Sequence, residues 1–209
     1  MAYSPVYKNG NTEGEVIGYE VSIGDCTDTD IIIPNEYDGM AVIGIGDSAF
    51  AGANINSITI PDSVTSINYS AFAHCYVLTS VTIPDSVTSI GDCAFSDCYD
   101  LTSVTFPDSV TSIGAEAFAS CIRLTSVTIL NSVTSIGNYA FYNCISLTSV
   151  SIGGNIEYID EDAFGECDSL KRIDIARAPE SIEGCPWGAN DATIYWNGEL
   201  DTEHGAGGI

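Results

Sequence analysis

From Leu78 to Asp100 the chain reads L-T-S-V-T-I-P-D-S-V-T-S-I-G-D-C-A-F-S-D-C-Y-D, and the next twenty-three residues read L-T-S-V-T-F-P-D-S-V-T-S-I-G-A-E-A-F-A-S-C-I-R. Leu124 to Ser146 and Leu147 to Ser169 repeat the unit again, and Ile55 to Val77 precedes it in the same register. Self-similarity at a fixed period in the twenties leaves few folds open. Each unit is one small supersecondary element that buries its apolar edge only by stacking on copies of itself.

Inside one repeat, Val81 and Ile83 sit two apart, the strand period, so both point inward while Ser80 and Thr82 point out. Pro84 and Asp85 turn the chain: proline lacks an N–H and aspartate bonds the backbone just beyond it. Val87 and Ile90 dip inward on a second side, Gly91 bends the chain again, and A-F-S-D-C suits one turn of helix or 3₁₀ helix. Stacking then builds rows, among them Phe72, Phe95, Phe118, Phe141 and Phe164, and Ile67, Ile90, Ile113, Ile136 and Ile159. The β-branched residues favour sheet over helix.

This pattern resembles the BspA-like (Treponema pallidum-type) leucine-rich repeats, whose coil is close to L-x-x-[VI]-x-[IL]-P-x-x-[VI]-x-x-I-G-x-x-A-F-x-x-C. I-N-S-I-T-I-P-D-S-V-T-S-I-N-Y-S-A-F-A-H-C from Ile55 fits it, as do the next three coils, and the resemblance covers residues 31 to 196. The Asn ladder of other leucine-rich repeats is missing. The resemblance implies a single right-handed α/β leucine-rich-repeat solenoid of about seven coils, short strands plus short helical turns, with a cap at each end. It also implies a bacterial surface or secreted protein, extracellular or at the cell surface, with the concave strand face as the usual contact surface.

The division expected is a lead-in and capping strand or hairpin over residues 1–30, the solenoid over 31–191, and a capping strand with a flexible tail over 192–209. Residues 1–14 read as a loose lead-in, and residues 35–41 as a bulging turn. The coil from Leu170 is decayed: Arg177 enters the turn, Pro179 replaces the inward Val and Trp187 replaces Phe. Ala192 to Trp196 reads as a closing strand, and residues 197–209 as frayed.

Charge narrows the partners. Asp and Glu number 29 against 5 Lys and Arg, a net −24, which argues against nucleic acid and anionic membranes because both need basic patches. No run of about 18 apolar residues exists for a spanning helix. Met1-Ala2-Tyr3-Ser4-Pro5 lacks a basic n-region and an apolar h-region, so no signal peptide is visible in this chain.

Five of the eight cysteines, Cys75, Cys98, Cys121, Cys144 and Cys167, fall 23 apart at one inward position per coil. Stacked side chains run parallel rather than toward one another, so these read as buried thiols that pack as small hydrophobes. Without a C-x-x-C pair or a Cys/His cluster, no metal site is expected. Cys26, Cys93 and Cys185 lie outside the row, and their redox state stays open.

No serine or cysteine is paired with a histidine at a defined site, and no phosphate loop appears, so the reading is of a chain that is not an enzyme and carries no cofactor. Three features are candidates for recognition. The first is a hydroxyl lattice along the first strand, Ser80, Thr82, Ser103, Thr105, Ser126 and Thr128 at its centre, flanked by Ser57, Thr59, Ser149 and Ser151. The second is the turn row Asp62, Asp85 and Asp108, ordinary turn residues or weak Ca²⁺ ligands. The third is the variable stripe Tyr76, Tyr99, Ile122 and Ile145, half-buried packing or a contact patch. The function expected is a non-catalytic, adhesin-like scaffold for a protein or glycan ligand. The alternative is a structural subunit whose solenoids assemble end to end or side by side into a fibre.

Overall fold

The computed structural model describes residues 1–8, 15–178, 182 and 185–200. The chain opens with β1 (Ala2–Tyr7), β2 (Val16–Ser22), β3 (Asp30–Ile32), β4 (Glu36–Tyr37) and β5 (Met40–Ile45). Two strands per coil follow: β6 (Ser57–Thr59) and β7 (Ser66–Ile67), β8 (Ser80–Thr82) and β9 (Ser89–Ile90), β10 (Ser103–Thr105) and β11 (Ser112–Ile113). Then come β12 (Ser126–Ile129) and β13 (Ser135–Ile136), and β14 (Ser149–Ile152) and β15 (Tyr158–Ile159). The chain ends with β16 (Arg172–Ile175), β17 (Thr193–Trp196) and β18 (Glu199–Leu200).

The molecule is a β-solenoid of about eight turns, one more than the repeats alone suggest, because the strands flanking the regular coils stack as coil strands too. Asp30–Ile32 pairs in parallel with Ser57–Thr59, and Thr193–Trp196 pairs in parallel with Arg172–Ile175. Each strand bonds its counterpart one coil away, Val81 opposite Val104 on the first side and Ile90 opposite Ile113 on the second. The second side is one unbroken path from β1 through β2, β5, β7, β9, β11 and β13 to β15. The first side is two ladders, β3-β6-β8-β10 and β12-β14-β16-β17-β18. They part beside Phe106, which stands where the other regular coils have isoleucine and meets the Phe118 ring edge-on at 5.5 Å.

The third side corrects one expectation: among the described residues the A-F-x-x-C segment forms no helix. Its amides alternate instead. Ser70, Phe72 and His74 donate to the carbonyls of Asp92, Ala94 and Ser96 in the next coil, at 2.9, 2.7 and 2.8 Å. Ala71, Ala73 and Cys75 close tight turns onto Asn68, Ser70 and Phe72. An N–H spent on the next coil cannot bond back along its own chain, so no helix propagates. Ser70 and His74 adopt positive φ, 52° and 61°, and the same two positions recur as Cys93 and Asp97, then Glu116 and Ser120, in the following coils. The leucine-rich-repeat solenoid stands as expected, with tight turns among the described residues in place of the short helical turns.

Behind this corner the phenylalanines stack in line. Ring centroids from Phe72 to Phe95 and from Phe95 to Phe118 lie 5.1 Å apart, with planes 11° and 9° from parallel. All five row phenylalanines, and Phe50 before them, are fully buried. Burying each ring contributes about 1.5–3 kcal/mol. The proline turn is closed by the proline carbonyl, which accepts the Val87 amide from Pro84 at 3.0 Å. Serine rather than aspartate makes the side-chain bond there: the Ser109 hydroxyl donates to the Val87 carbonyl at 2.6 Å, while Asp85 and Asp108 are exposed.

Both ends carry more strand pairing than their polar stretches suggest. Ala2–Tyr7, expected as a loose lead-in, runs antiparallel to β2, which pairs in parallel with β5 and so covers the open end of the second side. Pro5 sits on the outermost strand, where no further ladder bond is needed. Residues 35–41 form a small hairpin instead of a bulge: Glu36 and Tyr37 pair with Ala41 and Met40 across Asp38 and Gly39, both at positive φ. Tyr37 then stacks on Tyr3 at 4.0 Å. At the far end Trp187 is fully buried and its carbonyl accepts the Phe164 amide at 2.9 Å, the bond an alanine of the next coil supplies elsewhere. Glu199 and Leu200, expected to fray, pair antiparallel with β17 through Asn197 and Gly198. Pro179 and residues 201–209 lie outside the described residues.

Candidate binding surfaces

Two sets of serine and threonine hydroxyls behave oppositely. One set holds the coils together. Thr88 Oγ1 donates to the Thr65 carbonyl, Thr111 to Thr88 and Thr134 to Thr111, at 3.4, 3.1 and 3.3 Å. A second ladder runs through Thr79, Thr102 and Thr148, whose hydroxyls reach the carbonyls of Asn56, Thr79 and Thr125. These side chains, each bonding one coil back, take over the task of the missing Asn ladder.

The other set is the strand-face lattice. Ser80, Thr82, Ser103, Thr105, Ser126 and Thr128 are all exposed, and Val81, Val104 and Val127 between them are buried. Among the described residues, none of these six hydroxyls bonds the protein. The exception in the flanking rows is Ser57 at the N-terminal end, which donates to Asp30 Oδ1 at 2.6 Å. Parallel in-register pairing sets the lattice: Ser80 lies opposite Ser103 and Thr82 opposite Thr105. The outcome is a flat, uncharged surface with donors and acceptors unspent.

The variable stripe runs beside the corner. Tyr76 and Tyr99 are 49% and 39% exposed and stack on each other at 5.0 Å. Ile145 is exposed and Ile122 half-buried. Charges crowd this strip: His74 Nδ1 lies 3.2 Å from Asp97 Oδ2, and Arg123 Nη1 lies 3.1 Å from Asp100 Oδ1. The Asp97 charge pushes the Tyr99 phenol up from its usual range.

The row cysteines are inside, as free thiols at 0–7% exposure. Each thiol donates to the phenylalanine carbonyl one coil back: Cys98 to Phe72 at 3.2 Å, Cys121 to Phe95 at 3.3 Å and Cys144 to Phe118 at 3.2 Å. That bond takes the S–H along the stack toward oxygen. Burial pushes Cys75 up to about 12, and drives Cys98, Cys121 and Cys144 upward as well. Cys26, Cys93 and Cys185 are half-buried. Asp62, Asp85 and Asp108 are exposed, and among the described residues no three His, Cys, Asp or Glu side chains gather as a metal site would require. No described helix is long and apolar enough to cross a membrane.

The threonine ladders and the thiol–carbonyl bonds are what sequence reasoning missed. Their signal was present as strict recurrence, but recurrence alone does not separate a hydroxyl that bonds the stack from one that faces water.

Comparison with known proteins places this geometry. A model of the BspA type leucine rich repeat region matches in six copies, over residues 25–103 and 43–171. The leucine-rich repeat protein of T. pallidum, TpLRR, superposes with a TM-score of 0.76 at 26% identity, over 88% of this chain and 86% of that one. The pneumococcal vaccine antigen PcpA superposes with a TM-score of 0.54 at 17% identity, over 94% of this chain and 71% of that one, a likeness of fold alone. No curated protein sequence matches. With the coil motif, the two strands per coil and the family match all in one register, this chain belongs to the BspA-type leucine-rich repeat family.

Proposed function

We propose that the protein is a non-catalytic binding scaffold that presents its hydroxyl strand face to a protein or glycan partner, at the surface of a bacterium or outside it. One observation carries this reading: among the described residues the lattice hydroxyls from Ser80 to Thr128 have no protein partner, while the other threonine rows, Thr125 excepted, spend theirs on stacking. Stacking bonds therefore account for the second set and not for the first. The location follows what is general for the family.

The stacked, exposed Tyr76 and Tyr99 support a second reading, because interface energy concentrates in such aromatic anchors. The fibre alternative ranks lower, since a net −24 makes copies repel one another. Light scattering on the purified chain separates them: a monomer fits the scaffold, a ladder of oligomers the fibre. Thr82, Thr105 and Thr128 changed together to Lys place three cations on the face and leave the core alone. Tyr76 and Tyr99 changed together to Ser remove the rival anchors. Capture of surface proteins and a glycan array with the three chains decide. The scaffold reading predicts loss with the lysine variant. Loss only with the serine variant moves the site to the stripe.

A further inference from the structure

The strand face is uniform over five coils and then changes character. Ser149 lies opposite Arg172 and Ser151 opposite Asp174, and Asp174 lies opposite Tyr195 in β17. Arg172 holds Asp174 through two bonds, Nε to Oδ2 and Nη2 to Oδ1, both 2.6 Å. The same guanidinium lies 3.9 Å over the Tyr195 ring. An acid, a base and a phenol thus replace hydroxyls at the end of the lattice, locked in one arrangement.

Beside them the chain leaves a gap. Gly153 and Gly154 stand where three earlier coils have Pro-Asp. A Cβ on Gly153 would fall 2.6 Å from the Asn131 amide nitrogen, and one on Gly154 would collide with the Ala176 carbonyl oxygen. Side chains are excluded there, so the turn stays low. Two coils on, Asn197 and Gly198 turn the chain through positive φ. Across the ends of β14, β16 and β17 lies a recess of about 220 Å³, lined by Ser151 and Ile152, by Asp174 and Ile175, and by Asn197 and Gly198.

The donor set selects the ligand. A hydroxyl and an amide each give and accept hydrogen bonds, and a carboxylate accepts. A protein of net −24 disfavours an anion, and Asp174 offers a carboxylate. Its charge is already matched by Arg172, so a cation gains little. The neighbouring lattice, Thr128 and Ser151 included, offers no apolar anchor of the kind protein interfaces use. What remains is a neutral ligand with several adjacent hydroxyls. We propose that this recess is a subsite for one neutral sugar unit, and that the rest of the glycan runs along the Ser/Thr face toward Ser80. The proposal rests on the reading of the strand face as the binding surface and names its ligand class.

The test uses the full chain with cellohexaose, maltohexaose and chitohexaose as probes, by saturation-transfer NMR and calorimetry. Asp174→Asn keeps the shape and removes the charge, Ser151→Ala removes one hydroxyl, and circular dichroism checks that both fold. The expected result is that at least one hexasaccharide binds and that each variant weakens it about tenfold, the scale of one lost hydrogen bond to a charged or buried group. Binding that ignores both variants overturns the subsite. So does failure of all three hexasaccharides, while protein capture with the Thr82, Thr105 and Thr128 lysine variant still decides the strand-face reading separately. Sugar binding lost in the lysine variant but kept in Asp174→Asn and Ser151→Ala leaves the face standing and removes the subsite.

Discussion

The Phe–Cys corner and the Ser–Thr strand face both recur with every coil, yet they are opposites physically. In the corner each recurring group has a partner. Phe95 stacks between Phe72 and Phe118, its amide meets the Ala117 carbonyl, and its own carbonyl takes the Cys121 thiol. On the strand face the hydroxyls of Thr82 and Thr105 meet no partner among the described residues. Strand propensity and solubility favour threonine on such a face. The contrast teaches that repetition in a solenoid has two sources, bonds between neighbours and a surface offered outward, and that hydrogen-bond accounting separates them.

The largest effect expected from breaking the comparison is in the corner. Phe118 touches three rings, Phe95, Phe141 and Phe106, at 5.1, 5.4 and 5.5 Å. Phe118→Ala should cost roughly 3–5 kcal/mol. Phe164 has a ring neighbour in Phe141 and lies nearer the decayed coil, so Phe164→Ala should cost less. Urea melts give the order, and equal midpoints would count against a stack coupled through nearest neighbours.

The thiols sharpen the same side with pH. In the unfolded chain a cysteine ionises near 9, whereas folded Cys75 does so only near 12. The folded state therefore keeps protons that the unfolded state releases. Stability contributed by the buried thiols is complete below pH 9 and is lost as pH rises from there toward 12. Urea midpoints should fall between about pH 8 and pH 10.5, and less steeply in Cys75→Ala; an unchanged slope would mean that the row does not hold its protons. Native labelling should spare Cys75, Cys98, Cys121, Cys144 and Cys167 and reach Cys26 and Cys93 first; immediate modification of the whole row would show the corner to be open.

On the strand face the expected stability effect is much smaller. Thr82, Thr105 and Thr128 changed to Lys should leave the urea midpoint within about 0.5 kcal/mol of the native chain, as for surface substitutions in general. A loss of several kcal/mol would show that the face is part of the fold.

How much of this was legible in the sequence follows from the same distinction. The Phe row, the Ile row and the Cys row could be read because burial at a fixed period leaves only apolar residues at those positions. The backbone of the corner could not. The first of its two positive-φ positions is held by Ser70, Cys93, Glu116 and Tyr139, residue types that carry no left-handed signal, because bonds to the next coil impose the conformation; only the second, with His74, Asp97 and Asn143, carries a partial one. The Asp38-Gly39 hairpin was readable and was taken for a bulge. Ala2–Tyr7 was obscured by Pro5, which an outermost strand tolerates. The recess beside Ser151 arises from three segments far apart in sequence, so only the stacked structure brings Ser151, Asp174 and Asn197 together.

The division of the hydroxyls is the central claim, and one paired urea melt tests it. Thr88 and Thr111 changed together to Val lose two bonds to the preceding coil, whereas Thr82 and Thr105 changed to Val lose none. The first pair should lower stability by about 1–2 kcal/mol, at roughly 0.5–1.5 kcal/mol per bond, and the second pair by almost nothing. Equal losses from the two pairs would mean that the strand-face hydroxyls are also spent on the fold, and the division would fall.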